Sequence, residues 1–484
     1  MIGSIRYACI LIALVACGPS VGTHNGNGDD GTDGGTQQQA CTPGATQACY
    51  TGASATQGVG PCTGGTQTCD SGGNWGVCAG EVVPTGEVCG NSVDDNCNGM
   101  VDEDADADGD GFTTCGGDCC DATTDGCGDP KLVNPGAFEA PGNMVDDDCD
   151  GMVDNAVAAT CDSGLTSNSN TAMDYAKAME LCQTATVNDK KWGVISARFT
   201  LPSGTGSPNV NQRAIRPVFG GTTVRAGSSF VVLSTGNAAA PNQTNPPYVA
   251  FQSGNAVGTT SGMPTDWLAA HNNTLPNAPG CPAPTGGTTA NDPIMLELKI
   301  RTPSNAKSFS LSTNFMSAEY PEWVCSAYND FFVVLLDSAW NGSPANPTDK
   351  NLAIYKSPQN QTYPVGVNLA YGNTGLFTDC KNGDTGCAAG SVAGTISTCT
   401  GTGGLTGTGM DVANPSGLPG YCGSNNLSGG GTGWLVTSGN VKGGEIITLR
   451  IAIWDTSDGI LDSLSFIDNF TWSVDASTPG TVIF

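Results

Sequence analysis

Residues 87–103 and 139–155 carry one pattern twice, 52 positions apart: EVCGNSVDDNCNGMVDE and EAPGNMVDDDCDGMVDN agree at 11 of 17 positions. Each contains D-x-[DN]-x-[DN]-G-x-V-D, with an oxygen-bearing side chain at every second residue. On a curled loop alternate side chains point inward, and oxygens gathered there suit a hard cation. A twelve-position calcium loop takes oxygens from positions 1, 3, 5, 7 and 9, turns at a glycine at 6 and closes with a carboxylate at 12. Asp94, Asn96 and Asn98 fall at 1, 3 and 5 of the first copy, with Gly99 at 6, Val101 at 8 and Asp102 at 9. The second copy has Asp146, Asp148, Asp150, Gly151, Val153 and Asp154 at those positions. Position 12 is Ala105 or Val157, and no helix pattern flanks the loops, so these are not EF-hands. Weaker binding follows, on the order of 0.1–1 mM, the extracellular range. Between the copies, DEDADADGDGF offers two further registers, one from Asp104, Asp106 and Asp108 and one from Asp106, Asp108 and Asp110. The competing reading is an acidic, solvated loop that binds nothing; the third occurrence of the ladder weighs against it.

The charge agrees. The chain carries −28, and residues 41–160 hold 21 Asp/Glu against one basic residue, Lys131, a local charge of −20. Such a block repels itself unless cations neutralise it, and it excludes nucleic acid and anionic lipid as partners. Histidine chemistry has little to work with: His24 and His271 are the two in the chain. There is no H-E-x-x-H and no phosphate loop, and the G-x-S-x-G at 18–22 lies in the tether, with no strand-to-helix pattern around it. Paired carboxylates can hydrolyse a glycoside, but the ladders account for the acidic pairs, so no enzyme is expected.

The N-terminus places these loops outside the cytoplasm. Arg6 precedes a short apolar run, Ile10 to Ala16, too short to span a bilayer. The run ends in Leu14-Val15-Ala16-Cys17-Gly18, which resembles a bacterial lipobox. That resemblance implies cleavage before Cys17, lipid on its thiol, and an outer-membrane or cell-surface lipoprotein of a Gram-negative bacterium. A plain secretory signal is the alternative. Of the 22 cysteines, 20 remain without Cys9 and Cys17, twelve in 41–149 and eight in 161–422. Even groups of this density in an exported chain read as disulfides. A thiolate zinc site from Cys115, Cys119, Cys120 and Cys127 is the weaker alternative, because its spacing fits no ordinary zinc knuckle.

The elements that must carry the loops follow from composition. After the signal (1–17), residues 18–40 read as a flexible Gly/Asp/Gln tether. Residues 41–80 hold five cysteines and one tryptophan, Trp75, too little apolar mass for a core, so disulfides must order them. Residues 81–160 are the acidic region. In 161–190, Ala172, Met173, Ala176, Met179 and Leu181 recur at helical spacing, predicting a helical adaptor that a Cys161–Cys182 bond would pin. From 191 to 484 short apolar and β-branched runs alternate with Gly, Pro, Asn and Ser clusters. The runs are Trp192–Phe199, Ser229–Ser234, Pro293–Ile300, Phe309–Phe315, Phe331–Leu336, Glu445–Ile453 and Phe470–Val474. The fold class expected is therefore mainly β, with a jelly-roll-like antiparallel β-sandwich at the C-terminal end.

Two resemblances sharpen this. DADGDGFTTCGGDCCD followed by VNPGAFEAPGNMVDDDCDGMVD resembles the metal-binding motif repeated in surface proteins of myxobacteria and related bacteria. It implies ligands at Asp106, Asp108, Asp110, Asp118, Asp121, Glu139, Asp148, Asp150 and Asp154, and, in the first copy, at Glu87, Asp94, Asn96, Asn98 and Asp102. The family's cysteine after the Glu is Cys89 in one copy and Pro141 in the other, so Cys149 must pair elsewhere. Calcium is the cofactor expected, since the ligands are hard oxygens and none is His. FSLSTNFMSAEYPEWVCSAYNDFFVVLLDS (309–338) and IWDTSDGILDSLSFIDNFTW (453–472) resemble the choice-of-anchor L domain, a β-sandwich of bacterial surface proteins, over about 195–475. That family implies location and fold more than activity.

Within the β half, Glu319, Asn329, Asp330, Asp455, Asp458, Asp462 and Asp468 sit in or beside apolar runs. Buried unpaired they would be costly, so they need hydrogen bonds, a base or a cation. A second metal site from Glu319, Asp330, Asp462 and Asp468 is one reading, and hydrogen-bonded strand ends are the other. Trp323, Trp340, Trp434, Trp454 and Trp472 could stack on sugars or fill the core. The expectation is a lipid-anchored calcium-binding surface protein, with a stiffened stalk presenting the sandwich to an unknown glycan or protein ligand. A carbohydrate-binding or carbohydrate-active protein and a passive envelope component are the alternatives.

Overall fold

The computed structural model describes residues 41–483, except 103, 105, 124–125, 156–160, 254–256, 285–286, 415 and 417–419. The expected signal peptide, lipidated Cys17 and tether lie outside the described residues. So do Ala105 and Val157 at position 12 of the loops. The chain divides into two units, one ending at Glu103 and the other beginning at Asp104.

The first unit has almost no core. An antiparallel pair, β1 (Thr46–Cys49) and β2 (Gly65–Thr68), is its regular structure. The apolar side chains buried between 41 and 102 are three half-cystines, Cys62, Cys69 and Cys97. Cys41–Cys69, Cys49–Cys78 and Cys62–Cys97 close loops of 28, 29 and 35 residues. Rings of that size contribute roughly 3–4 kcal/mol each by restricting the unfolded chain. All twenty cysteines from Cys41 onward are disulfide-bonded, those drawn as a zinc site included.

The second unit is an antiparallel sandwich. One sheet runs in spatial order β12 (Gly480–Ile483), β9 (Leu435–Asn440), β7 (Ser308–Ser317), β11 (Ser463–Ser473), β5 (Phe230–Ser234) and β4 (Arg213–Arg216). The other runs β8 (Phe331–Asp337), β10 (Ile446–Thr456), β6 (Thr289–Arg301) and β3 (Gly193–Thr200). Their facing sides share one core, including Val231, Phe309, Phe315 and Ile467 from the first sheet and Leu296, Leu298, Leu449 and Ile451 from the second. Alternation in β6 and β10 is the cause: Leu296, Leu298 and Ile300 turn inward, while Glu297 faces out and pairs with Arg198 at 2.8 Å. Phe331–Leu336 does not alternate because the outer face of its sheet is buried too. There Trp267 and Leu268 of α2 (Thr265–Ala270) cover Phe331, Val333, Leu335 and Trp454.

The adaptor is less helical than its spacing predicts. Its helix, α1, spans Ala172–Lys177, six residues, and Glu180 takes a left-handed φ of 66° that helix cannot continue. Cys161 and Cys182 are bonded across it. Tyr175, Ala176, Met179 and Leu181 belong to the sandwich core, so this segment is part of the β module. The second acidic copy is part of it as well. Phe138 joins the same core, and Asn305 brackets its backbone, accepting from Phe138 N at 3.0 Å and donating to Phe138 O at 2.8 Å. Ser304 donates through its hydroxyl to Asn134 Oδ1 (2.7 Å) and through its N–H to Gly136 O (2.9 Å). The stalk expected from sequence therefore does not describe residues 130–155, which are bolted to the sandwich.

Candidate metal centre

Three loops adopt one conformation, and local hydrogen bonds dictate it. At position 1, Asp94, Asp106 and Asp146 each accept the N–H at position 5 on Oδ1 (3.0, 3.1 and 3.1 Å) and the N–H at position 6 on Oδ2 (3.0, 2.9 and 2.9 Å). At position 3, Asn96, Asp108 and Asp148 accept the same position-5 N–H on Oδ1 at 3.0, 2.9 and 3.2 Å. At position 5, Asn98, Asp110 and Asp150 accept from position 7 at 2.9, 2.7 and 2.8 Å. These are Asx turns in series, the fold that short Asp and Asn side chains impose on a polar loop. Position 6 must turn left-handed: Gly99, Gly111 and Gly151 have φ of 95°, 97° and 91°, where a Cβ is strained. The register is thus Asp106–Asp108–Asp110. Asp104 is exposed and takes no part in the ladder.

Each loop also has a carboxylate that grips it from outside. Glu87 Oε1 accepts from Asn96 N at 2.8 Å, Glu139 Oε1 from Asp148 N at 3.1 Å, and Asp121 Oδ1 from Asp108 N at 3.3 Å and Ala107 N at 2.7 Å. The gripped N–H belongs to position 3 every time. Positions 1 and 3 and this clamp are where ligand atoms converge: Asp106, Asp108 and Asp121 in one loop, and Glu139, Asp146 and Asp148 in the other, offer oxygens within 4.8 Å of one another. A further group, Asp108, Asp110 and Asp118, shares the middle loop. In the first copy the equivalent set is Glu87, Asp94 and Asn96, two carboxylates and an amide.

Position 9 does something else. Asp102 accepts from the N–H groups of Asn91 (3.1 Å) and Ser92 (2.9 Å), and Asp154 from those of Gly142, Asn143 and Met144 (2.7, 3.1 and 3.2 Å). Both tie the loop's exit to its entrance, outside the convergent groups. Asp150 is likewise spent within its loop, with Asn155 Nδ2 on its second oxygen at 2.7 Å. Val101 and Val153 are exposed, so position 8 makes no EF-hand-like pairing. Sequence reasoning missed Asp95 and Asp147. Asp147 accepts from Ala140 N (3.0 Å) and Asn143 Nδ2 (2.8 Å), Asp95 from Val88 N (3.1 Å) and Asn91 Nδ2 (2.6 Å). The signal was present: these Asp–Asn pairs recur 52 residues apart with the ligands.

The residues fit a hard cation. Glu87 Oε2, Asp108 Oδ2, Asp118 Oδ2 and Glu139 Oε2 are buried and accept no hydrogen bond among the described residues. A buried acceptor without a donor is destabilising unless something fills its place. Burial pushes the Asp118 carboxyl up to about 6, and burial also raises Asp108, Glu139 and Asp148, with neighbouring carboxylates adding to it. Lys191 works the other way on Asp148, and Lys190 reaches the carbonyl of Gly111. All the convergent donors are carboxylate or amide oxygens, which suits calcium or magnesium over zinc or copper.

The four residues grouped as a second site do not stay together. Asp468 lies with Glu180, accepting from the N–H groups of Arg225 (2.5 Å), Ala226 (3.4 Å) and Asn469 (2.7 Å). Asp330 neighbours both Glu319 and Asp462 elsewhere, with Asp455 acting on all three. Three of the five tryptophans pack with the core: Trp454 on Trp267 and Phe331, Trp434 on Phe230, and Trp472 on Trp192 and Phe309; Trp323, against Tyr328, and Trp340 are half-buried and outside it.

Among the described residues no helix is long and apolar enough to cross a membrane. No curated protein and no solved structure matches the chain. Residues 85–103 and 129–155 match a family described as "Putative metal-binding motif", which covers the first and third loops and leaves out the middle one. Residues 220–472 match the choice-of-anchor L domain, so β3 and β4 lie upstream of the matched region although they complete its sheets. Both families point to an exported cell-surface protein. With more than half its length in that second match, the chain belongs to the choice-of-anchor L domain family.

Proposed function

We propose that this chain is a non-catalytic surface protein, held to a Gram-negative outer membrane or cell surface by lipid on Cys17, whose loops bind calcium. Its β module binds a ligand, a protein or glycan of another surface, in adhesion. The observation that carries the reading is the repeated set of position 1, position 3 and clamp, with buried oxygens that lack donors. Calcium is favoured because these ligands are all oxygens and the neighbouring cysteines are closed as disulfides. Export is supported by that complete oxidation, and the anchor by the Leu14–Gly18 sequence. Three or more acyl chains on one cysteine give stable membrane residence, at about 0.8 kcal/mol per buried methylene. A cleft of about 710 Å³ is rimmed by His271, which pairs with Asp349 at 2.9 Å.

Limited proteolysis of the full chain tests the loops. Calcium added after EDTA should slow cleavage within 104–155, because an ion bound only by the folded loop stabilises it. A cleavage pattern indifferent to calcium would remove the basis of the proposal. The anchor is tested separately: Cys17→Ala should move the protein from the membrane to the soluble fraction.

A further inference from the structure

Four strand ends meet at one edge of the sandwich, each delivering an acid. Glu319 follows β7, Asp330 precedes β8, Asp455 sits at the bulge near the end of β10, and Asp462 precedes β11. Their exposures are 4, 0, 2 and 2 %. Asp330 is held from both sides, by Ser463 Oγ on Oδ2 (2.6 Å) and Thr456 N on Oδ1 (3.3 Å). Asp455 has Asp330 and Thr235 beside it, yet neither of its oxygens makes a well-formed hydrogen bond, nor does Glu319 Oε2. Asp458, half-buried, adds a fifth charge facing Glu319 and Asp330. No Lys, Arg or His is among the groups that act on these acids.

Burial pushes Asp330 up to about 7, against the hydrogen bonds from Ser463 and Thr456, and Asp462 to about 8, with the charges of Asp330 and Asp292 adding to it; burial and neighbouring carboxylates lift Glu319 and Asp455 well above the usual range. Like charges in a low-dielectric site must be neutralised by protons or by a cation. Asp455 lies beside Asp330. A proton shared between those two leaves Glu319 Oε2 without a partner, whereas a cation drawn in among the acids would engage it. The group is looser than the loop clusters, whose oxygens lie within 4.8 Å of one another, so filling it requires the side chains to rotate toward one another.

We propose that Glu319, Asp455 and Asp462 form a cation site inside the sandwich, oriented by Asp330, that takes a hard divalent ion of the calcium class. It stands apart from the loops and does not depend on their reading. The test uses the full chain with Asp94, Asp108 and Asp146 changed to Asn, which takes a carboxylate from every convergent group of the loops. Terbium added to that chain is expected to bind as one equivalent, to emit on excitation of the buried Trp454 beside Asp455, and to be displaced by calcium. Asp455→Asn or Glu319→Gln in that background should abolish the emission and the calcium-dependent rise in melting temperature. Emission that survives both changes, or a loop-disabled chain that binds no terbium, overturns the site. Should the triple variant not fold, Glu319→Gln alone in the otherwise unchanged chain decides the matter. Bound calcium falling by one equivalent supports the proposal, and an unchanged count overturns it. Shared protons predict a different pattern, with Asp455→Asn melting no lower than the unchanged chain at neutral pH whether calcium is present or not.

Discussion

The first and third loops are one sentence folded twice, yet they stand on different ground. Their backbones agree closely: φ is 59° and 57° at Cys97 and Cys149, 95° and 91° at Gly99 and Gly151, and 50° and 53° at Asp102 and Asp154. Their ligand sets differ by one charge, since position 3 is Asn96 in one and Asp148 in the other. Their supports differ more. The first loop sits in a unit whose buried apolar side chains are half-cystines, and the third is fixed to a sandwich core through Phe138 and Asn305. A ladder of Asx turns needs no core, so local sequence alone sets loop shape. What the ion can do for the rest of the protein depends on what the loop is attached to.

The comparison breaks most sharply at position 1. Asp146→Ala removes a ligand, leaves the N–H of Gly151 without an acceptor and leaves that of Asp150 with Asp148 alone. Calcium affinity at the third loop should fall about 10–100-fold, as it does when a metal site loses a supporting group. Hydrogen exchange at residues 303–306 should quicken with it; the matching Asp94→Ala should leave that segment unchanged. An equal response to both would show that attachment to the sandwich is irrelevant.

Asn305→Ala attacks the attachment and spares the ligands. It strands the N–H and C=O of Phe138 in a buried place, at about 1–3 kcal/mol for each group left unsatisfied. Thermal unfolding should shift down with and without calcium, while the binding isotherm of the loop stays in place. Asn96→Asp then sharpens the contrast in charge: calorimetry should show the first loop gaining severalfold in calcium affinity, with more salt sensitivity. No gain would mean that the clamp, not charge at position 3, limits binding.

The smallest effect expected is one of pH. Burial, with Asp468 next to it, raises Glu180 to about 9. Between the ordinary carboxyl range and 9 the folded chain keeps a proton that the unfolded chain has released. Stability from this group is therefore full in acid and falls as pH rises. Glu180→Gln should raise the melting temperature by a few degrees at pH 8 and by little at pH 4.5. A difference of the same size at both would put the effect down to packing.

What could be read from the sequence was local. Positions 1, 3 and 5 and the turn glycines follow from spacing, because the hydrogen bonds that shape the loop run between residues two to five apart. The clamps were harder. Asp121 and Glu139 were named as ligands, but their grip on position 3 spans 13 and 9 residues and leaves no periodic trace. Asp102 and Asp154 fall at position 9 of the calcium-loop spacing and at ligand positions of the family motif, but here they close the loop on its entrance. In the β half, strands with strong apolar runs were visible, and β4, Arg-Ala-Ile-Arg, was not. It is buried because Arg216 donates to the carbonyls of Thr244 (3.0 Å) and Ala238 (3.1 Å) and Arg213 lies over Phe199. Asp468 was grouped with Asp462, six residues away on the same strand, where only register could separate them.

The Cys119–Cys149 bridge gives these loops a mechanical meaning. It encloses Asp121, Glu139, Asp146 and Asp148 in a covalent ring of 30 residues. A pull along the backbone crosses that ring through sulfur, so roughly 100 Å of slack, at about 3.4 Å per residue, never pays out. An ion held by Glu139, Asp146 and Asp148 inside such a ring would be sheltered from load.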